Sequence, residues 1–157
     1  MKVEDVMTPH VKACFAGDTL ESIARTMWEE DCGAVPVIDS HGHPIGMVTD
    51  RDIAMSAVLN HKDLWDLHAH DVIGGHPLYS CHLGDEIQTA IDRMAINRVR
   101  RLPVVNGEGH LAGIVTFGDL ISAAGSGTAK KKPALSFNDL APVLRACCEH
   151  HRALALR

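Results

Sequence analysis

The sequence predicts a mixed α/β (α+β) protein: two tandem β-α-β-β-α units followed by a C-terminal helix. Three observations carry that prediction. The octet GMVTDRDI (46–53) returns as GIVTFGDL (113–120), 67 residues later. Each octet closes a strand–turn–strand pattern. Each of those patterns follows a helical pattern that opens on a carboxylate.

The repeat extends well beyond the octet. VKACFAGDTLESIARTMWEEDCGAVPVIDSHGHPIGMVTDRDI (11–53) lies over LYSCHLGDEIQTAIDRMAINRVRRLPVVNGEGHLAGIVTFGDL (78–120) with no gap. Cys14 meets Cys81, Gly17-Asp18 meets Gly84-Asp85, and Met27 meets Met94. Pro36-Val37 meets Pro103-Val104, and Gly42-His43 meets Gly109-His110. Upstream, Asp5-Val6 resembles Asp71-Val72, with the offset slipping by one. A long unit present twice reads as two packed copies of one supersecondary element, not a solenoid.

Each copy opens with a short strand, near Val11 and near Leu78. Asp18 with Glu21, and Asp85 with Gln88, are Asp forms of the capping box at a helix start. Leu20, Ile23, Ala24 and Met27 then follow the i, i+3, i+4, i+7 spacing, as do Ile87, Ala90, Ile91 and Met94. Gly33 is expected to end the first helix and Asn97 the second. The apolar runs AVPVI (34–38) and LPVV (102–105) meet IGMVT (45–49) and AGIVT (112–116) across the turns SHGHP (40–44) and NGEGH (106–110). Each is a β-hairpin. A further helix begins near residue 50 and near residue 117. The expected divisions are 1–65 and 66–125 for the two units, 126–136 for a basic linker (SGTAKKKPALS) and 137–157 for a helical tail. In the tail, Leu140, Val143, Leu144, Cys147 and Leu154 form an apolar stripe, and Pro142 is tolerable only near the first turn.

Composition bounds the function. The formal charge of −5 lacks the excess of cations that a nucleic-acid binder carries. The Lys130–Lys132 run is too short to change that reading. Five scattered cysteines without a CxxC read as reduced thiols in the cytoplasm. MKVEDVMTPH has no apolar core of a signal peptide, and no apolar run approaches the roughly 18 residues of a membrane span. No nucleophile–base pair or paired carboxylates stand at a diagnostic spacing, so the chain is not expected to be an enzyme.

The doubled G-h-V-T-x-x-D, with the Pro-Val strand and the Gly-Asp-led helix in register, resembles a pair of CBS domains, a Bateman module. DVMTP and VRRLPVV are similar to that family too. The resemblance covers about residues 1–125. It implies two copies packed about a pseudo-two-fold axis. It also implies clefts between the copies for an adenosine-containing ligand such as AMP, ADP, ATP or S-adenosylmethionine, no required cofactor, and a regulatory role. A homodimer and an unidentified effector protein are the implied partners.

Carried onto this chain, the resemblance has Asp52 and Asp119 holding ribose, and Thr49 and Thr116 contacting ribose or phosphate. A carboxylate suits vicinal hydroxyls, and a helix N-terminus suits phosphate. Gly46 and Gly113 would let the ligand approach the backbone. Arg51, Arg100 and Arg101 are candidate phosphate grips. Ala34-Val35-Pro36 and Leu102-Pro103 would wall the adenine, and can also be strand core. T-x-x-D before an apolar run is itself a capping box, so capping is an alternative role for the same residues. The copies differ at Asp50-Arg51 against Phe117-Gly118, so their sites should be unequal. A structural interaction module with empty clefts is the second functional reading. A metal-binding dimer through Cys147 and His151 is the third. His41, His43, His110, His68, His70 and His76 read as turn and linker residues, with no metal assigned to them.

Overall fold

The computed structural model of the protein describes residues 1–75, 77–125 and 133–148. Expectations for His76, for the Lys130–Lys132 run, and for His151 and Leu154 lie outside them. The described chain folds into two compact units, each with its own core. One is built from Pro9–Leu78 with Val105–Gly113. The other is built from Met1–Thr8, Tyr79–Val104 and the chain from Ile114 on.

In the first unit, β2 (Cys14–Phe15), β3 (Ala34–Ile38) and β4 (Pro44–Thr49) form a three-stranded sheet in the order β2-β3-β4. β2 runs parallel to β3, and β3 antiparallel to β4. α1 (Leu20–Glu29), α2 (Asp50–Asn60) and the short α3 (Ala69–Ile73) complete the unit. Leu20, Ile23 and Met27 of α1 bury against Val35, Val37 and Val48. The expected helical face is therefore the packed face. The strand anticipated near Val11 begins at Cys14.

The second unit repeats the plan with β5 (Cys81–His82), α4 (Ile87–Asn97), β6 (Arg101–Val105, within the unit as far as Val104), β7 (Leu111–Thr116, within it from Ile114) and α5 (Phe117–Ala123). With β1 (Thr8–Pro9) the sheet order is β1-β7-β6-β5. The strand expected near Leu78 begins at Cys81. The N-terminal segment belongs to this unit. Val3 is fully buried in its core, and the Val3 and Glu4 N–H groups donate to the Asp85 and Leu83 carbonyls at 2.9 and 3.2 Å.

The helix punctuation differs from expectation in two places. Thr19, not Asp18, caps α1, its Oγ1 accepting from the Ser22 N–H at 3.2 Å. The Asp18 and Asp85 carboxylates instead accept the Phe15 and His82 N–H groups, at 2.8 and 3.0 Å, and so tighten the turn before each helix. After α1 the left-handed residue is Asp31, not Gly33; after α4 it is Arg98, directly following Asn97. Each hairpin turn is tied by one side chain. Asp39 accepts the His41 and His43 N–H groups at 2.8 and 2.9 Å, and Asn106 accepts those of Glu108 and His110 at 3.0 and 2.9 Å. Gly42 and Gly109 supply the positive φ values of 86° and 84° that these turns need.

The C-terminal helix α6 spans Phe137–Cys148 as described. Part of the expected linker is already packed: Leu135 is buried in the second unit's core beside Leu140 and Val143. Pro142 lies in the second turn of α6, later than its missing N–H would suggest.

Candidate functional site

The two T-x-x-D motifs adopt one geometry. The Thr49 N–H and Oγ1 both donate to Oδ2 of Asp52, at 2.9 and 2.7 Å, and the Asp52 N–H returns to Thr49 Oγ1 at 3.1 Å. Thr116 and Asp119 repeat this at 2.8, 2.8 and 3.2 Å. Both are reciprocal capping boxes on α2 and α5. Ser136 and Asp139 make the same pair of bonds to a carboxylate on α6, outside the repeat, so this geometry by itself is a cap. In Asp52 and Asp119 one oxygen takes both donors. The other oxygen, Oδ1, has no hydrogen bond among the described residues, and both side chains are half-buried.

The other predicted residues gather around these caps. Ala34 lies directly opposite Thr49 in the β3–β4 ladder, with Val35 opposite Val48 and Pro36 opposite Met47. The Asp50 N–H donates to the Gly33 carbonyl at 3.3 Å, and its counterpart at Phe117 donates to the Arg100 carbonyl at 2.8 Å. Arg100 thus takes the place of Gly33, and Arg101 that of Ala34. Arg51 and Arg100 are exposed; Arg101 is half-buried. Val35 and Leu102 are core residues, and Pro36 and Pro103 are buried with them. Gly33 also has a local reason. A Cβ there would stand 3.2 Å from Asp50 Oδ2.

Gly46 departs from its expected role. A Cβ built on it would stand 2.7 and 2.8 Å from Cβ and Cγ2 of Ile73. The glycine lets α3 lie on β4 and is covered by that helix, so its openness serves packing, not ligand approach.

Two histidine sets that the sequence reads as linker and turn residues have acidic neighbours in the structure. Asp71, at the start of α3, turns back toward His68 and His70, and ligand atoms of the three lie within 4.8 Å of one another. In the hairpin turns the His43 and His110 rings are 5.0 Å apart, with His43 Nδ1 at 3.3 Å from Asp39 and His110 Nδ1 at 3.3 Å from Glu108. The Asp39 carboxyl is held below its ordinary range, chiefly by the His43 N–H. The run His68-Ala69-His70-Asp71, H-x-H-D at a helix start, was the signal available for Asp71.

The thiols divide by burial. Burial, with Asp18 adding, pushes Cys14 up to about 12; burial and Asp85, opposed by Arg93, push Cys81 up to about 11. Cys32 and Cys148 are exposed. Only the thiolate reacts, so an aromatic disulfide reagent at neutral pH should label Cys32 and Cys148 first, with Cys14 and Cys81 labelled only in denaturant. Mass spectrometry finding Cys14 among the early products would contradict this. Burial also raises the Cys147 thiol, which donates to the Val99 carbonyl at 3.7 Å. Neither feature favours Cys147 as a thiolate metal ligand.

The fold and doubled site define a tandem-repeat α+β module. Its family is shown directly: the CBS domain family model matches residues 3–58 and 69–126, and the chain belongs to that family. The CBS domain-containing protein YhcV of Bacillus subtilis (strain 168) is 33% identical over 122 residues, which is 75% of this chain and 81% of YhcV. Hypoxic Response Protein I, solved with two coordinated zinc ions, is 30% identical with a TM-score of 0.72, covering 80% of this chain and all of that one. CBSX2 of Arabidopsis thaliana, solved in complex with AMP, is 25% identical with a TM-score of 0.66, covering 78% of this chain and 94% of that one. No helix among the described residues is long and apolar enough to cross a membrane.

Proposed function

We propose that the protein is a non-catalytic regulatory module that binds an adenosine-containing ligand at each repeat and passes the bound state to an effector protein. The observation that carries this reading is the doubled cap with one carboxylate oxygen left over. In both Asp52 and Asp119, Oδ2 serves the helix start, while Oδ1 is available to ribose hydroxyls. Thr49 and Thr116 stand beside the ribose and phosphate, and Ala34 and Arg101 hold matching places next to them. Arg51 supplies a phosphate grip to the first repeat, where the second has Gly118; Arg100 and Arg101 serve the second. The buried Val35, Pro36, Leu102 and Pro103 offer the adenine their backbone groups, because their side chains are in the strand layer. The AMP complex of CBSX2 supports the ligand class. Signalling requires that the ligand favour one of two states of the module.

We further place the protein in the cytoplasm, on its free thiols, and expect it to pair with a second copy. Met55, Val58 and Leu59 of α2 expose apolar surface that a partner copy would cover.

Thermal unfolding in the presence of AMP, ADP, ATP or S-adenosylmethionine tests the ligand. At 100 times its Kd, a specific ligand adds about 2.7 kcal/mol. Asp52→Asn and Asp119→Asn keep an acceptor for the cap but replace the spare carboxylate oxygen. Each should weaken binding, to different extents, with little change in ligand-free stability. No stabilisation by any adenosine compound would reject this reading and leave a structural interaction module.

A further inference from the structure

We propose that His68, His70 and Asp71 form a binding site for one divalent cation of the zinc class. The site stands on the first unit's frame. Leu67 and Ala69 are buried, and the chain between them is pinned to the loop that starts α1. The Leu20 N–H donates to the Leu67 carbonyl at 2.8 Å, and the Ala69 N–H to the Asp18 carbonyl at 2.9 Å. The His70 N–H donates to the Ala16 carbonyl at 2.9 Å. The backbone that carries the ligands is therefore fixed before any ion arrives, which is what a metal site needs.

The side chains are oriented as well. His70 Nδ1 lies 2.9 Å from the same Ala16 carbonyl. A carbonyl can only accept, so Nδ1 carries the hydrogen, and in the neutral ring Nε2 presents its lone pair. A metal-ligating histidine is held by this kind of outer hydrogen bond, which fixes both ring and tautomer. That Nε2 lies 3.5 Å from Oδ1 of Asp71, also an acceptor. Two acceptors facing one another at this distance suit a cation shared between them. Asp71 Oδ2 is already used, accepting the His68 N–H at 2.9 Å, so Oδ1 is the oxygen left for the ion.

His68 supplies the third ligand. Its ring stacks on that of His70, with centroids 5.3 Å apart and planes 9° from parallel. Ligands of a tetrahedral zinc ion sit about 2.0–2.2 Å from it, so atoms within 4.8 Å of one another need to close further. All three side chains are partly exposed and have room to do so. Two imidazoles and a carboxylate suit zinc and its borderline neighbours better than calcium or magnesium, which prefer all-oxygen sets. Three protein ligands leave one coordination position for water.

The test is zinc titration calorimetry on the full, chelator-stripped chain without a polyhistidine tag. The parent should bind one equivalent that His70→Ala weakens more than 10-fold, and His68→Ala and Asp71→Asn should also weaken it. His70→Ala leaves the backbone bond to Ala16 intact, and an unchanged circular dichroism spectrum and melting temperature confirm its fold. Cobalt(II) in place of zinc should give a ligand-field spectrum with no thiolate charge-transfer band, unaltered by Cys147→Ser. Zinc uptake indifferent to His70→Ala, or a thiolate band lost with Cys147→Ser, would overturn the assignment.

Discussion

Ile91→Ala should destabilise the second unit by about 2–5 kcal/mol, read as a lower urea midpoint with an unchanged slope. Ile91 is fully buried on α4, in the core that also holds Met94, Leu102, Leu120 and Val143. Truncation removes three carbons from a close-packed interior and leaves a cavity that its neighbours only partly fill. Ile96→Ala is the control. It sits on the same helix but is 79% exposed, and surface changes of this kind stay within about 0.5 kcal/mol. The repeat predicts a second contrast. The counterpart of Ile91 in the first unit is Ala24, which is half-buried, whereas Ile23 there is buried and its counterpart Ala90 is small. The two units thus exchange large and small residues at neighbouring helix positions. Equal effects of Ile91→Ala and Ile96→Ala would mean that α4 does not present this face to the core.

The second large effect is expected at Gly46. Gly46→Ala should cost about 1–3 kcal/mol, the range for an overpacked core. The new methyl would meet Cβ of Ile73 at 2.7 Å, an atom bound to the α3 backbone, so no rotamer change removes the clash. Ile73→Ala in the same chain should recover only part of the loss, since it takes away Cγ2 and Cδ1 and leaves Cβ. If Gly46→Ala alone were neutral while adenosine-ligand affinity fell, the glycine would be there for the ligand after all.

Much of the candidate site's local geometry was legible in the sequence. T-x-x-D reads both as a cap and as a ligand group, and the two are compatible: one oxygen closes the cap, and the other has no hydrogen bond among the described residues. The repeat register also placed Arg101 where the first copy has Ala34. Other signals misled by a residue or two. Asp18 looked like a cap because it precedes an apolar period, but Thr19 stands one step closer and takes the role. Gly33 looked like a helix stop because glycine tolerates positive φ, yet Asp31 adopts it.

By itself the sequence determined the repeat, the buried faces of α1 and α4, the hairpin turns and the capped starts of α2 and α5. Apart from the repeat, which is read by laying the chain over itself, each of these is written within a few residues, as a period, a turn residue or a cap, because the interactions behind them reach only a turn of helix or one strand neighbour. Tertiary structure alone decided that Val3 completes the core around Ile87 and Met94, that α3 lies on Gly46, and that the Ala16 carbonyl fixes the His70 ring. Those pairings join residues 27, 54 or more than 80 positions apart. Their partners are chosen by the path of the folded chain, and no local pattern of side chains records that path.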